Sequence, residues 1–241
     1  MKGFAVLCLS LLYLVSSANY SLKVDKLLTT DVCSDGMVIL SASVNLPFNN
    51  INIYLNAFHI SVTNTKNDEQ SYLWCFIQQI ESDGDVANIG CFTRRLDEGT
   101  YQIDELDEEI KFYIGRHEFV ISPFKIKDTF KVKSGKEIYF NEPDGEQELI
   151  FSDDDTEEKL VYYLFEYLTD KKCNIYLRYN DDESKQTKVQ CTISYGRKLV
   201  CPVDSEKLPY QKDRNYDVFI EDSNGDIKKN YFVRPVVVKF S

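Results

Sequence analysis

The sequence predicts an all-β protein: two tandem antiparallel β-sandwiches of the immunoglobulin-like class, arising from an internal duplication. Three observations predict it. A segment repeats 122 positions later, each half holds a cysteine pair placed symmetrically about a turn, and short alternating strands are separated by turn residues about every ten positions.

The repeat sets KLLTTDVCSDGMVILSASVNLPFNNINIYL (26–55) over ELIFSDDDTEEKLVYYLFEYLTDKKCNIYL (148–177) without a gap. Leu27, Asp31, Leu46 and Asn52-Ile53-Tyr54-Leu55 match Leu149, Asp153, Leu168 and Asn174-Ile175-Tyr176-Leu177. Later features recur in the same order. Each half continues with a cysteine pair and a Tyr-rich strand, then closes on a Phe-Val strand interrupted by proline, FVISPFKIK (119–127) and FVRPVVVK (232–239). The expected division is a leader at 1–18, one sandwich over 19–132 and a second over 133–241, joined near Lys133-Ser134-Gly135-Lys136.

The repeat also decides an ambiguous element. On its own DDDTEEKLVYYLFEYLTDKK fits a helix, with Asp155 and Glu158 as a capping box and Val161, Phe165 and Leu168 on one face. Its partner VILSASVNL alternates strictly, with Val38, Leu40, Ala42, Val44 and Leu46 on one side, which is a strand pattern. Homologous segments share a state, so both are predicted as strands. NIYLNAFHISV (52–62) and NIYLRY (174–179) also alternate. DVFIEDSNGDIKKNYFV contains Asn224-Gly225, a hairpin signal that sets Ile220 opposite Lys229 and pairs Glu221 with Lys228. Pro123 and Pro235 confine their strands to an edge or a bulge.

MKGFAVLCLSLLYLVSSA reads as a secretory signal peptide, with basic Lys2, an apolar run from Phe4 to Val15 and a small-residue cleavage site. That run is too short to cross a bilayer of roughly 30 Å, and membrane insertion is not expected elsewhere. Without the leader, 27 Lys+Arg stand against 39 Asp+Glu, a net charge of −12 that disfavours nucleic acid and anionic lipid. With 43% hydrophobic residues, 16 Tyr and 15 Phe, the chain has enough apolar surface to build a core. A sequon, Asn19-Tyr20-Ser21, lies at the expected new N-terminus.

The midpoint of Cys75 and Cys91 is Asp83, beside Gly84, and the midpoint of Cys191 and Cys201 is Gly196. In a hairpin such cysteines face each other across the ladder, within bridging distance. Two disulfides in an oxidising compartment are therefore expected. The alternative, a zinc cluster, needs pairs two to four residues apart, and spacings of 16 and 10 do not fit. These spacings also differ from the long bridge of antibody domains. Cys33 and Cys173 fall outside the repeated pattern. They pair as a third bridge clamping the domains, remain free, or cross-link chains.

Signatures of catalysis are sparse. His59 lies in a strand and His117 follows Gly115-Arg116 in a turn. Neither belongs to a nucleophile elbow, a metalloprotease helix or a phosphate loop. The acidic runs Asp104 to Glu109 and Asp153 to Glu158 read as solvated loops; paired carboxylates of a glycosidase type are the alternative. Asp222-Ser223-Asn224-Gly225-Asp226 resembles part of a calcium loop but lacks its closing glutamate. No metal or cofactor is expected. Trp74, Phe92 and the adjacent Arg94 and Arg95 form a candidate contact patch, since Trp and Arg are favoured anchors. The expectation is a secreted, non-enzymatic recognition protein binding an extracellular protein or glycan. Its rivals are an exported hydrolase and a disulfide-linked coat protein.

Overall fold

The computed structural model describes residues 19–44, 58–79, 86–94, 96–114, 117–141, 148–152, 156–210 and 212–241. The leader, Leu46, Asn52 to Leu55, Asp83-Gly84, Arg95, Gly115-Arg116 and Asp153 to Asp155 lie outside the described residues, as do the side chains of Asn19 and His117.

Ten strands build the first sheet. They are β1 (Asn19–Leu27), β2 (Asp31–Asp35), β3 (Met37–Val44), β4 (Phe58–Asn64), β5 (Gln70–Gln79), β6 (Val86–Phe92), β7 (Gly99–Ile103), β8 (Ile110–Ile114), β9 (His117–Ile121) and β10 (Thr129–Lys136). Neighbours follow the order β2-β10-β7-β4-β5-β6-β3-β1-β9-β8. Alternation drives the layering: Val38, Leu40, Ala42 and Val44 of β3, with Leu73, Cys75 and Ile77 of β5, enter one core. The sheet curls around that core until Phe112 of β8 stacks on Phe58 of β4 at 5.7 Å.

The second sheet holds β11 (Phe140–Asn141), β12 (Glu148–Phe151), β13 (Glu157–Leu164), β14 (Lys172–Arg178), β15 (Gln186–Ser194), β16 (Lys198–Asp204), β17 (Arg214–Glu221), β18 (Ile227–Lys229) and β19 (Val236–Phe240). Its order is β11-β13-β16-β15-β14-β17-β19-β12, with β18 on β17. The run β13-β16-β15-β14-β17 has the connectivity of β3-β6-β5-β4-β7, and both halves close with a parallel pair, β1 with β9 and β12 with β19. The ambiguous segment is the strand β13. Its Leu160, Tyr162 and Leu164 are buried at the positions aligned with Val38, Leu40 and Ala42. Two tandem β-sandwiches of the immunoglobulin-like class result. Both closing strands avoid proline: β9 ends before Pro123 and β19 starts after Pro235.

Cys75–Cys91 bridges β5 to β6 with a Cα separation of 4.0 Å, and Cys191–Cys201 bridges β15 to β16 at 4.2 Å. Each bridge joins neighbouring strands of one sheet. Replacing Cys191 and Cys201 together by serine is expected to cost about 2–3 kcal/mol, read from the guanidinium midpoint at unchanged slope.

The third bridge does not form: Cys33 and Cys173 are both free and buried. Asp222 engages the Cys33 thiol instead. Its carboxylate accepts from the Cys33 thiol at 3.7 Å, and the β14–β17 register, continued from Ile175 opposite Ile220, sets Cys173 across from Asp222. Cys173 also faces Cys191 across β14–β15. Burial pushes its thiol up to about 12, so it stays protonated beside the Cys191–Cys201 disulfide and is a poor nucleophile toward it.

The Asn224-Gly225 hairpin forms one residue out of the expected register, with Ile220 opposite Lys228 and Glu221 opposite Ile227. A two-residue turn of the expected kind needs positive φ at both central residues. Gly225 has it, at +85°, and Asn224 does not. Asp222 explains the extra loop residue, because its carboxylate accepts from the Asn224 and Asp226 amides at 2.8 and 2.9 Å. The slip sends Glu221 and Lys228 to different partners. Glu221 accepts from Asn174 and Tyr176 at 2.9 Å each and pairs with Lys188 at 3.3 Å. Lys228 turns toward the junction of the two halves.

That junction is packed. Met37 and Ile39 of β3 and Phe76 of β5 point away from the first core and meet Phe232, with Tyr139, Phe165 and Tyr231 around them. Phe232 lies 5.7 Å from Phe76 and from Tyr139, and 5.4 Å from Phe165. Gly90 of β6 leaves room for this approach, since a Cβ there would meet the Phe232 ring at 2.7 Å. Polar links surround the cluster. Asn88 donates to the Tyr231 carbonyl at 2.8 Å, and Lys136 and Ser223 exchange hydrogen bonds at 2.7 and 3.0 Å.

Candidate functional site

On β5, alternation turns Tyr72, Trp74 and Phe76 outward while Leu73, Cys75 and Ile77 turn inward. Phe76 is covered by the second half, whereas Tyr72 and Trp74 remain 57% and 44% exposed. The register places His59 opposite Trp74, Ser61 opposite Tyr72 and Thr63 opposite Gln70. His59 meets the Trp74 indole edge-on at 4.7 Å, which limits the rotamers open to it.

Trp74 faces Phe92 across β5–β6. The Arg94 guanidinium lies 5.2 Å over the Phe92 ring and joins the halves, pairing with Asp35 at 3.1 Å and with Glu166. Beyond Glu166 the surface continues onto the second half. Tyr167 is 71% exposed beneath Arg197, and Tyr195 is 93% exposed on the β15–β16 turn. Leu168 binds that turn by donating to the Gly196 carbonyl at 2.9 Å. The structure thus brings Trp74, Phe92 and Arg94 together, while Arg95 is outside the described residues. Sequence reasoning missed Tyr72, Glu166, Tyr167 and Tyr195. Tyr72 was accessible through the period-two run Tyr72, Trp74, Phe76; the others required knowledge of how the halves dock.

At the far end of the aromatic row lies Asp104. It accepts from Ser61, from Thr63 at 2.7 Å and from Gln70 at 3.1 Å, and Gln70 also donates to Ser61 at 2.8 Å. Burial works to raise the Asp104 carboxyl, but the hydrogen bonds from Ser61, Gln70 and Thr63 outweigh it and hold the group below the ordinary carboxylate range. The acidic run around it divides among partners: Glu105 pairs with Lys125, and Glu109 with Lys111 at 3.4 Å.

Behind the surface, Cys33, Glu137 and Asp222 bring ligand-type atoms within 4.8 Å of one another. The cation among them is Lys228, which pairs with Glu137 and, at 3.1 Å, with Asp222. Glu137 also accepts from the Cys33 amide at 3.0 Å and from the Tyr139 hydroxyl. Burial, helped by the Glu137 charge, pushes the Cys33 thiol up to about 12. Burial works against the Lys228 ammonium, yet the Glu137 and Asp222 contacts raise it above the ordinary lysine range. The Asp222 that the sequence set in a partial calcium loop therefore serves as turn cap and ion-pair partner.

No protein-family model and no curated protein sequence matches the chain. Among solved structures it is similar to part of a 1.5-MDa bacterial ice-binding adhesin, at 10% identity and a TM-score of 0.25, over 93% of this chain and 66% of that one. It is also similar to a tetra-tandem repeat in the extending region of a large adhesion protein, at 11% and 0.27, over 92% and 49%. Tandem immunoglobulin domains of titin give 11% and 0.25, over 91% and 96%. The chain spans less than two thirds of each of the two adhesion structures.

Proposed function

We propose that this chain is an exported, non-enzymatic recognition protein that binds an extracellular protein or glycan on the surface running from Tyr72 and Trp74, across Arg94 and Glu166, to Tyr167. One observation carries the reading: large aromatic side chains stand exposed on both halves instead of being buried, and Phe92, Arg94 and Glu166 link them across a packed junction. Tyr and Trp supply contact area at low entropic cost, and Arg adds an anchor. Two disulfides, which persist in oxidising compartments, support export, as does the leader pattern of residues 1–18. The division into a 19–132 unit and a 133–241 unit belongs to the same reading, each unit stiffening one side of the surface.

The test is retention of extracellular proteins and glycoconjugates on the immobilised, disulfide-intact chain, with reduced and alkylated chain as control. A Trp74→Ala/Tyr167→Ala variant with unchanged melting temperature is expected to retain its partner roughly tenfold more weakly or worse. Equal retention by the variant would overturn the assignment of this surface.

A further inference from the structure

Resting on that reading, we propose that the β4–β5 face binds a neutral oligosaccharide along the strip from Trp74 through Tyr72 to Gln70 and Asp104. The three rows, Trp74 with His59, Tyr72 with Ser61 and Gln70 with Thr63, lie on one side of the sheet. Alternate residues of a strand are about 7 Å apart, so the strip is about 14 Å long. It suits a narrow, extended ligand better than a second globular protein, whose contact would cover about 800 Å² around an apolar centre.

Its chemistry is divided as a sugar's is. A pyranose presents a C–H face, which the negative face of an indole or phenol attracts, and a rim of hydroxyls that both donate and accept. Exposed Trp74 and Tyr72 supply the aromatic part. Asp104, Gln70, Ser61 and Thr63 supply donors and acceptors already fixed by their mutual bonds, so little order must be gained on binding. Asp104 stays ionised across the neutral range, and a carboxylate accepts strongly from a hydroxyl. Charge completes the argument. The acidic chain and the carboxylate at the end of the strip repel sulfated or sialylated sugars, which leaves neutral ones.

Trp74 is the chain's single tryptophan, so its emission reports on this strip alone. The folded, disulfide-intact chain is titrated with neutral hexasaccharides (β-1,4-linked glucose, β-1,4-linked N-acetylglucosamine and α-linked mannose) and with heparin. The expected result is a saturable change in Trp74 emission with at least one neutral hexasaccharide and none with heparin. Tyr72→Ala should weaken that binding roughly three- to tenfold without changing the melting temperature. Calorimetric titration of Asp104→Asn should show weakening as well. No response to any neutral hexasaccharide, binding unchanged in Tyr72→Ala, or a preference for heparin would overturn the inference. If sugars fail while Trp74→Ala/Tyr167→Ala still loses a retained protein, this inference falls and the broader recognition reading stands.

Discussion

Replacing Lys228 by methionine is expected to remove about 3 kcal/mol of folding stability, read as a fall in guanidinium midpoint at unchanged slope. The side chains of Glu137 and Asp222 are 3% and 2% exposed, and both lose their cation. Breaking a buried pair leaves uncompensated charge in a medium that solvates it poorly. The Lys228 side chain keeps a quarter of its exposure, so the loss falls near the low end of the range for buried pairs. A Lys228→Met/Glu137→Gln/Asp222→Asn variant should recover much of the loss, because neutral amides need no counter-ion. An equal loss in the triple variant would show that methionine fails for packing reasons. pH supplies a second readout. The Asp222 carboxyl is held below its ordinary value: burial opposes this, but the Asp226 amide, Lys228 and the Asn224 amide prevail. Its contribution is thus present above the unfolded value of about 3.9 and is lost as pH falls through the folded value. Lys228 is raised, so its contribution is present below about 10.4 and is lost as pH rises through the folded value. The Cys33 thiol, raised to about 12, adds an alkaline decline that starts from about 8.5, where an unfolded thiol ionises. As pH falls through the folded Asp222 value the gap between wild type and Lys228→Met should narrow, since a protonated Asp222 no longer needs the ammonium.

The elements most legible in the sequence are those fixed by local symmetry. Cys75 and Cys91, like Cys191 and Cys201, are equidistant from a turn, and equidistance in a hairpin means direct opposition; both bridges followed. The state of β13 was legible only through its copy, because Val161, Phe165 and Leu168 read in isolation satisfy a helix as well as a strand. The hairpin at Asn224 shows where local rules stop. Asp222 adds a residue to the loop by capping two of its amides, and one added residue puts Glu221 and Lys228 on opposite faces of the hairpin. The expected pair of these two residues was therefore replaced by one ion pair on the outer face and another at the junction.

The site was half legible for a related reason. Trp74 and Arg94 stood out by residue type, but what gives them meaning is the docking of the halves. Its sequence trace is β3 and β5 being apolar on both faces: Met37 and Ile39 alternate with Val38 and Leu40, and Phe76 stands between Cys75 and Ile77. A strand apolar on both sides is buried on both sides. The pattern says that something covers the outer face. It does not say that the cover is the second half, or that it stops at Phe76 and leaves Trp74 and Tyr72 exposed.

The end of that cover is the basis for the second large effect. Phe232→Ala should cost about 3–5 kcal/mol, since a fully buried phenyl leaves a cavity against Phe76, Tyr139 and Phe165 that rigid strands cannot collapse. The loss should also change the form of unfolding. Differential scanning calorimetry is expected to show one transition in the wild type and two in the variant, because Phe232 is the ring at the centre of the junction, in contact with Phe76, Tyr139 and Phe165. Without it the halves keep one ring contact, Phe76–Phe165 at 5.6 Å, the hydrogen bonds joining Glu137 to Cys33 and Tyr139 to Met37, those around Ser223 and Tyr231, and Arg94–Glu166, a half-exposed pair of the kind worth at most about 1 kcal/mol. A Phe76→Ala cycle should return a coupling energy of about 1 kcal/mol with Phe232, as expected for rings in contact. A single unchanged transition with a loss below about 1 kcal/mol would mean that the junction is held elsewhere. If the halves do separate, Trp74 and Tyr167 lose their fixed spacing. Binding that spans both should then weaken in Phe232→Ala although Phe232 is buried beneath the surface, whereas a ligand confined to the β4–β5 strip should bind as before.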